Sequence, residues 1–208
     1  MPYCAGYANR RRHNPLKVLP CQGGQGNAGR ECCPAEPLRN IAINYSLYQN
    51  VLAPDEYEYI WRYLLLTPFT PIIGANMRCG KAFQGNNTGN TEAQQVIAFL
   101  QSTVIRRHLS FDDFVAIRYE SGMDYVGWHT DGGYFMEPGC EIGSLSLGAT
   151  RTIQFRPIGQ DRPIWTEYLS ANSLTVMPSG FQESNEHQVR VCDVSDLRFG
   201  LVLFTHRM

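Results

Sequence analysis

The sequence predicts a mainly β protein with flanking helices: a double-stranded β-helix, or jelly roll, braced by two N-terminal helices. Two observations carry this prediction. From residue 110 onward the chain reads as about eight short strands, "DFVAIRY", "DYVGWHTD", "IGSLSL", "RTIQFRP", "IWTEYL", "NSLTVMP", "HQVRV" and "RFGLVLFT", separated by Ser-Gly, Pro-Gly, Gly-Ala and Pro-Ser-Gly turn signals. Ahead of them lie two stretches whose apolar residues recur with helical spacing.

Residues 1–39 are rich in Gly, Pro, Arg, Asn and Cys and poor in periodic apolar residues, which predicts a basic disordered arm. A small metal knuckle using some of Cys4, His13, Cys21, Cys32 and Cys33 is the alternative there. Residues 40–208 form the globular domain. "IAINYSLYQNVL" alternates like a strand, and "APDEYEYIWRYLLLTP" is a helix with Pro54 and acids in its first turn and a stop at Thr67-Pro68. "NTEAQQVIAFLQSTVIRRHL" is the second helix, with Thr91 and Gln94 as a capping box and Ala93, Val96, Ile97, Leu100 and Val104 as its buried stripe. Arg106, Arg107 and His108 then suit the negative end of its dipole.

With 208 residues, 43% of them hydrophobic and 18% charged, the chain is large enough for one domain with a real core. No apolar run is long enough to span a bilayer, and the N-terminus lacks the apolar segment of a secretory signal. Seven cysteines, an odd number with no framework spacing, point to reduced thiols in an intracellular compartment, cytoplasm or nucleus. The net charge of −1 hides an asymmetry: residues 1–39 carry six basic and two acidic side chains, and the rest is net acidic. A basic arm can steer a protein to polyanions, or can be no more than a solvated tail.

The chemistry is concentrated in "YVGWHTDGGYFMEPGC". On a strand, residues i and i+2 share a face, so His129 and Asp131 put an imidazole and a carboxylate on one wall. An H-x-D pair alone is weak evidence, since a strand-end His beside a turn-capping Asp looks the same. His187, at the start of a late strand, supplies a third donor. Two His and one carboxylate with open coordination positions form the facial triad of non-haem Fe(II) oxygenases. Arg198 opens an apolar, buried-looking strand, where a guanidinium needs an anionic partner. That partner is either the neighbouring Asp196 or a bound carboxylate such as that of 2-oxoglutarate, gripped by two hydrogen bonds. Tyr119 is placed to add a phenol contact.

"FVAIRYESGMDYVGWHTD", then "SLSLGATRTIQFRP", then His187 and Arg198-x-x-Leu201, closely resemble the AlkB family of Fe(II)/2-oxoglutarate dioxygenases, in particular its nucleic-acid dealkylase branch. The resemblance runs from about residue 41 to 208. It implies His129, Asp131 and His187 as iron ligands, Arg198 as the anchor of the co-substrate and Tyr119 as a further co-substrate contact. It also implies the reaction: 2-oxoglutarate and O₂ are consumed, succinate and CO₂ form, and an N-methyl group is hydroxylated and lost as formaldehyde. Departures fall in the substrate and anchor regions, where the family's usual polar residues are replaced by Gly133, Ile117 and Phe204.

"ANMRCGKAFQGNNTGN", between the helices, occupies the stretch that forms a lid over the target base in that family. Arg78 and Lys81 are candidates to meet phosphates and Phe83 to stack on a base; an ordinary polar loop is the competing reading. The expected partner is single-stranded RNA or DNA, met by a monomer with no membrane attachment. The alternatives are an AlkB-like hydroxylase or demethylase of a protein, small-molecule or other modified-base substrate, and a non-catalytic jelly-roll binding module. Four costly polar groups in a dry interior argue against the last.

Overall fold

A computed structural model of the chain describes residues 44–84, 91–132, 136–193 and 196–207. The expectations for the basic arm, for the Cys4, His13, Cys21, Cys32 and Cys33 knuckle, and for Gly133 lie outside the described residues.

The strands are β1 (Ser46–Gln49), β2 (Thr70–Ile73), β3 (Met77–Gln84), β4 (Asp113–Tyr119), β5 (Tyr125–His129), β6 (Ile142–Gly148), β7 (Arg151–Pro157), β8 (Trp165–Leu169), β9 (Ser173–Met177), β10 (Asn185–Val189) and β11 (Arg198–Phe204). The helices are α1 (Pro54–Leu66), α2 (Thr91–Ser102) and the single turn α3 (Phe181–Ser184), with a 3-10 turn at Val104–Arg107. Hydrogen bonding links the strands in the order β1-β9-β6-β11-β4-β3-β5-β10-β7-β8, with β2 alongside β3. Every pairing is antiparallel. The sheet curls until β4, β6 and β11 face β5, β7 and β10 across a shared interior, as expected of a jelly roll.

Alternation assigns the two faces of the β4–β11–β6 layer. Phe114, Ala116, Leu145, Leu147, Phe199, Leu201 and Leu203 point outward into a core closed by Ile60 and Leu64 of α1 and Ala93, Val96, Ile97 and Leu100 of α2. Val115, Ile142 and Phe204 point inward, into a second apolar cluster with Ile153 and Phe155 of β7 and Phe181. The helices therefore brace the back of one layer, and the inner faces remain free to build a cavity.

Three local expectations are corrected. The second helix ends at Ser102, because the Thr103 hydroxyl donates to the carbonyl of Leu100 and accepts from the N–H of Ile105. This breaks the helical phase, so Ile105 is buried in place of Val104, which is 36% exposed. The helix is described from Thr91 onward, and the residues ahead of it that would decide the expected Thr91 and Gln94 capping box lie outside the described residues. The stretch expected as a lid or loop is, over Met77–Gln84, a strand within the sheet. Its first residues pair with β5 and its later ones with β4, so β3 joins the two layers at their corner.

Asn172 clamps the start of α1 to the β8–β9 turn. Its backbone is left-handed, and its amide both accepts from the N–H of Leu52 and donates to the carbonyl of Leu52, each at 2.8 Å. Asn172→Ala leaves both groups unpaired and keeps the unfavourable φ. It is expected to lower the unfolding free energy by about 2 kcal/mol in urea denaturation. Metal affinity should be unchanged.

Candidate metal centre and anion pocket

Strand pairing brings the three donors together. His129 ends β5 and lies directly opposite His187 of β10, with ring centroids 4.3 Å apart. His187 is the third residue of β10, which begins two residues earlier than expected, and its neighbour on the other side is Phe155 of β7. Asp131 follows two residues after His129, and its N–H donates to the side-chain oxygen of Gln182 at 2.9 Å. His129 Nε2 is 3.5 Å from Asp131 Oδ1, and His187 Nε2 is 3.4 Å from Asp131 Oδ2. One donor atom from each residue lies within 4.8 Å of the other two.

Those separations are longer than the about 2.7–2.9 Å of a strong charge-assisted hydrogen bond, so the contacts are weak ones. They suit three ligands of one cation, since two donors each about 2.1 Å from an ion and at right angles lie about 3 Å apart. The tautomer is prepared as well. His129 Nδ1 lies 2.7 Å from the carbonyl of Gly127, so the Nδ1–H donates there and Nε2 keeps its lone pair for a metal. Gly127 has no side chain because Asn76, in the β2–β3 turn, packs where a Cβ would lie. Asn76 also accepts at its carbonyl from the N–H of Gly127 and donates through its side chain to the carbonyl of Trp128.

Electrostatics inside the triad follow from burial and mutual attraction. Burial opposes ionisation of Asp131, but the charge of His187 and hydrogen bonds from His129 and His187 outweigh it and hold the carboxyl well below the usual range. Burial likewise favours a neutral His129, and the hydrogen bond and charge of Asp131 outweigh it, raising the imidazole above its ordinary value.

The same cavity holds Arg198, which is 1% exposed. Nη2 donates to the hydroxyl of Ser146 at 2.9 Å, and the pairing with Asp196 weighed from sequence is not made. Nε and Nη1 are buried without a partner. Burial pushes the guanidinium below the ordinary arginine range. Its carbon lies 4.7 Å from the ring centre of Tyr119, the residue directly opposite on β4. Burial raises the Tyr119 phenol, which stays neutral. Gly200 makes space for the group, since a Cβ there would come within 3.2 Å of Arg198 Nη1. Ile117, Val126, Ile153, Val189 and Val202 complete apolar walls between the anchor and the triad.

The chemistry of the three donors and of Arg198 fits an Fe(II) ion and a carboxylate ligand. Two imidazoles and one carboxylate leave coordination positions open, as an iron oxygenase requires. A buried guanidinium with two unpaired donors lacks the anion that would compensate it, and a carboxylate matches that fork. Ser146 and Gly200 escaped sequence reasoning. Alternation in "SLSL" placed Ser144 and Ser146 on one face without showing that the face was the inner one. Phe204 and Ile117 lie on that inner wall and give it an apolar character.

The substrate candidates fare differently. Arg78 is engaged by Asp124, with Nε 3.2 Å from Oδ1. Lys81 stands opposite Ile117 in the β3–β4 pairing, and its charge opposes protonation of His129. Phe83 pairs through its backbone with Val115, and its side chain lies outside the described residues.

Comparison with solved structures agrees with this architecture. OsALKBH1 superposes with a TM-score of 0.53 at 13% identity, covering 82% of this chain and all of that one. The chain has the fold of the 2-oxoglutarate and iron(II) oxygenases. A Burkholderia pseudomallei oxidoreductase of the 2OG-Fe(II) oxygenase family gives a TM-score of 0.55 at 14% identity, covering 78% of this chain and 85% of that one. A Trichoplax adhaerens prolyl hydroxylase, solved with a hypoxia-inducible-factor peptide fragment, gives 0.53 at 12% identity, covering 78% and 83%. No protein-family model and no curated protein matches the sequence.

Divalent-metal affinity should depend on pH through His129. A metal displaces the proton from Nε2, so affinity is weak at acidic pH, rises as pH passes the raised value of this imidazole, and then levels. Calorimetric titration with Mn(II) from pH 5.5 to 8.5 checks this, and the Asp131→Asn variant is expected to lose at least about 100-fold in affinity throughout.

Proposed function

We propose that the chain is a 2-oxoglutarate- and Fe(II)-dependent dioxygenase that removes alkyl groups from N-alkylated bases of single-stranded RNA or DNA. One observation carries the oxygenase reading: a single cavity contains both the His129, Asp131 and His187 donors and a buried Arg198 with two unpaired N–H groups. The likeness to OsALKBH1 and the AlkB-like motifs support a nucleic-acid substrate, and Lys81 adds a positive charge felt at His129.

His129, Asp131 and His187 would hold Fe(II), which when bound supplies the activation of O₂ that oxidises the co-substrate and the alkyl carbon. The protein supplies the rest. The unpaired N–H groups of Arg198 receive the distal carboxylate of 2-oxoglutarate, and the Ser146 hydroxyl, accepting from Nη2, holds the guanidinium in the cavity. The apolar walls exclude water from the space between anchor and metal ligands, which strengthens each polar contact made there. Gly127 fixes the His129 ring, and Gln182 fixes the backbone of Asp131. A base reaching this depth must first be unstacked, which favours single strands over duplex.

A second reading keeps the oxygenase and changes the substrate to a protein side chain. It is favoured by the equal likeness to a prolyl hydroxylase and by the engagement of Arg78 with Asp124.

The test offers Fe(II), 2-oxoglutarate and O₂ with 1-methyladenine or 3-methylcytosine in single-stranded oligonucleotides, and quantifies succinate and formaldehyde. Both products should appear in equal amounts and fall sharply on duplex. Absence of formaldehyde from every oligonucleotide would reject the nucleic-acid substrate, and absence of succinate with oligonucleotides and peptides alike would reject the oxygenase. Arg198→Met should raise the KM for 2-oxoglutarate by about 100-fold or more, since a buried carboxylate loses its charged partner.

A further inference from the structure

A second buried arginine stands behind the pocket. Arg151, the first residue of β7, is 2% exposed and points to the inner face, two residues before the cavity-lining Ile153. Its guanidinium does not line the cavity. Nη1 donates to the carbonyl of Ser121 at 3.1 Å, and Nη2 donates to the carbonyls of Asp124 at 2.6 Å, Gly122 at 3.4 Å and Arg190. Three of these carbonyls belong to the turn from β4 into β5, and the fourth lies just past β10. One side chain thus ties together the far ends of the two strands that carry His129 and His187.

The same guanidinium lies 5.3 Å from the ring centre of Tyr119, whose ring is also within 4.7 Å of Arg198. Two buried cations therefore share one aromatic ring, and the charge of Arg151 opposes that of Arg198. Carbonyl contacts engage Nη1 and Nη2 of Arg151 and leave Nε without a partner, and they bring no full negative charge. An arriving anion would offset the positive charge that the two guanidiniums bring to the pocket floor.

We propose that Arg151 is a positioning residue for the co-substrate: it pins the Tyr119 ring under Arg198 and biases the pocket floor toward a ligand bearing a distal carboxylate. The inference rests on the reading of Arg198 as the anchor. A planar guanidinium is required, because an ammonium can neither reach four carbonyls nor lie flat on a ring.

The experiment uses the full chain loaded anaerobically with Mn(II), and measures by calorimetry the affinities for 2-oxoglutarate and for pyruvate, which shares the 2-oxo acid head but lacks the distal carboxylate. Arg151→Lys should weaken 2-oxoglutarate binding about tenfold while pyruvate and Mn(II) binding stay within about twofold. In a Tyr119→Leu background the same substitution should have little further effect, because its route to the ligand is gone. Equal weakening of both acids, or full additivity with Tyr119→Leu, would overturn the proposal by making Arg151 a general brace. Failure of both Arg151→Lys and Arg151→Gln to fold would overturn it too. Arg198→Met, measured alongside, separates the two claims. If it spares 2-oxoglutarate binding, the anchor reading fails; if it weakens that binding and Arg151→Lys does not, only the role of Arg151 fails.

Discussion

The antiparallel register between β5 and β10 is the constraint from which the site follows. His129 stands opposite His187, and that pairing sets both imidazoles on the inner face beside Asp131. Side chains alternate along a strand, so a slip of one residue would turn His187 outward and leave two donors where three are needed. The register is held by chemistry on both sides of β10. Phe155 packs across from His187 on β7, and the Gly127 to Asn76 contacts lock β5 against the β2–β3 turn. A second exact pairing, Arg198 with Tyr119, sets the anion pocket on the facing layer.

Electrostatics and packing then divide the labour. The helices close the outer core, which frees the inner faces to be narrow and mostly apolar. In that setting each remaining polar group has a strong effect. Asp131 remains ionised because two histidines outweigh its burial, and Arg198 keeps Nε and Nη1 unpaired beside the Tyr119 phenol. A folded protein tolerates such groups where a ligand completes them. Two glycines beside these groups, Gly127 and Gly200, give up side chains so that Asn76 and the Arg198 guanidinium can take those positions.

Much of this was legible in the residues. The strand pattern from 113 to 204 appears with boundaries shifted by no more than two residues, because alternation over a half-buried sheet is a strong local signal. The triad and Arg198 were legible because their residue types are costly to bury. What stayed hidden depends on tertiary context. β3 reads as a loop because "MRCGKAFQ" mixes polar and small residues, yet it gains its partners only once β4 and β5 are in place. Thr103 breaks α2 through a side-chain bond that helical periodicity does not encode. Arg151 sat within a recognised motif, but its contacts with four carbonyls depend on a turn and a strand end distant in sequence.

The central claim is that one cation and one dicarboxylic acid complete this cavity. A crystal structure of the protein loaded anaerobically with Mn(II) and 2-oxoglutarate tests it most directly. The account predicts the ion bonded to His129 Nε2, Asp131 and His187 Nε2, with the distal carboxylate on the guanidinium of Arg198. An ion held elsewhere, or an acid whose distal carboxylate avoids Arg198, would contradict it.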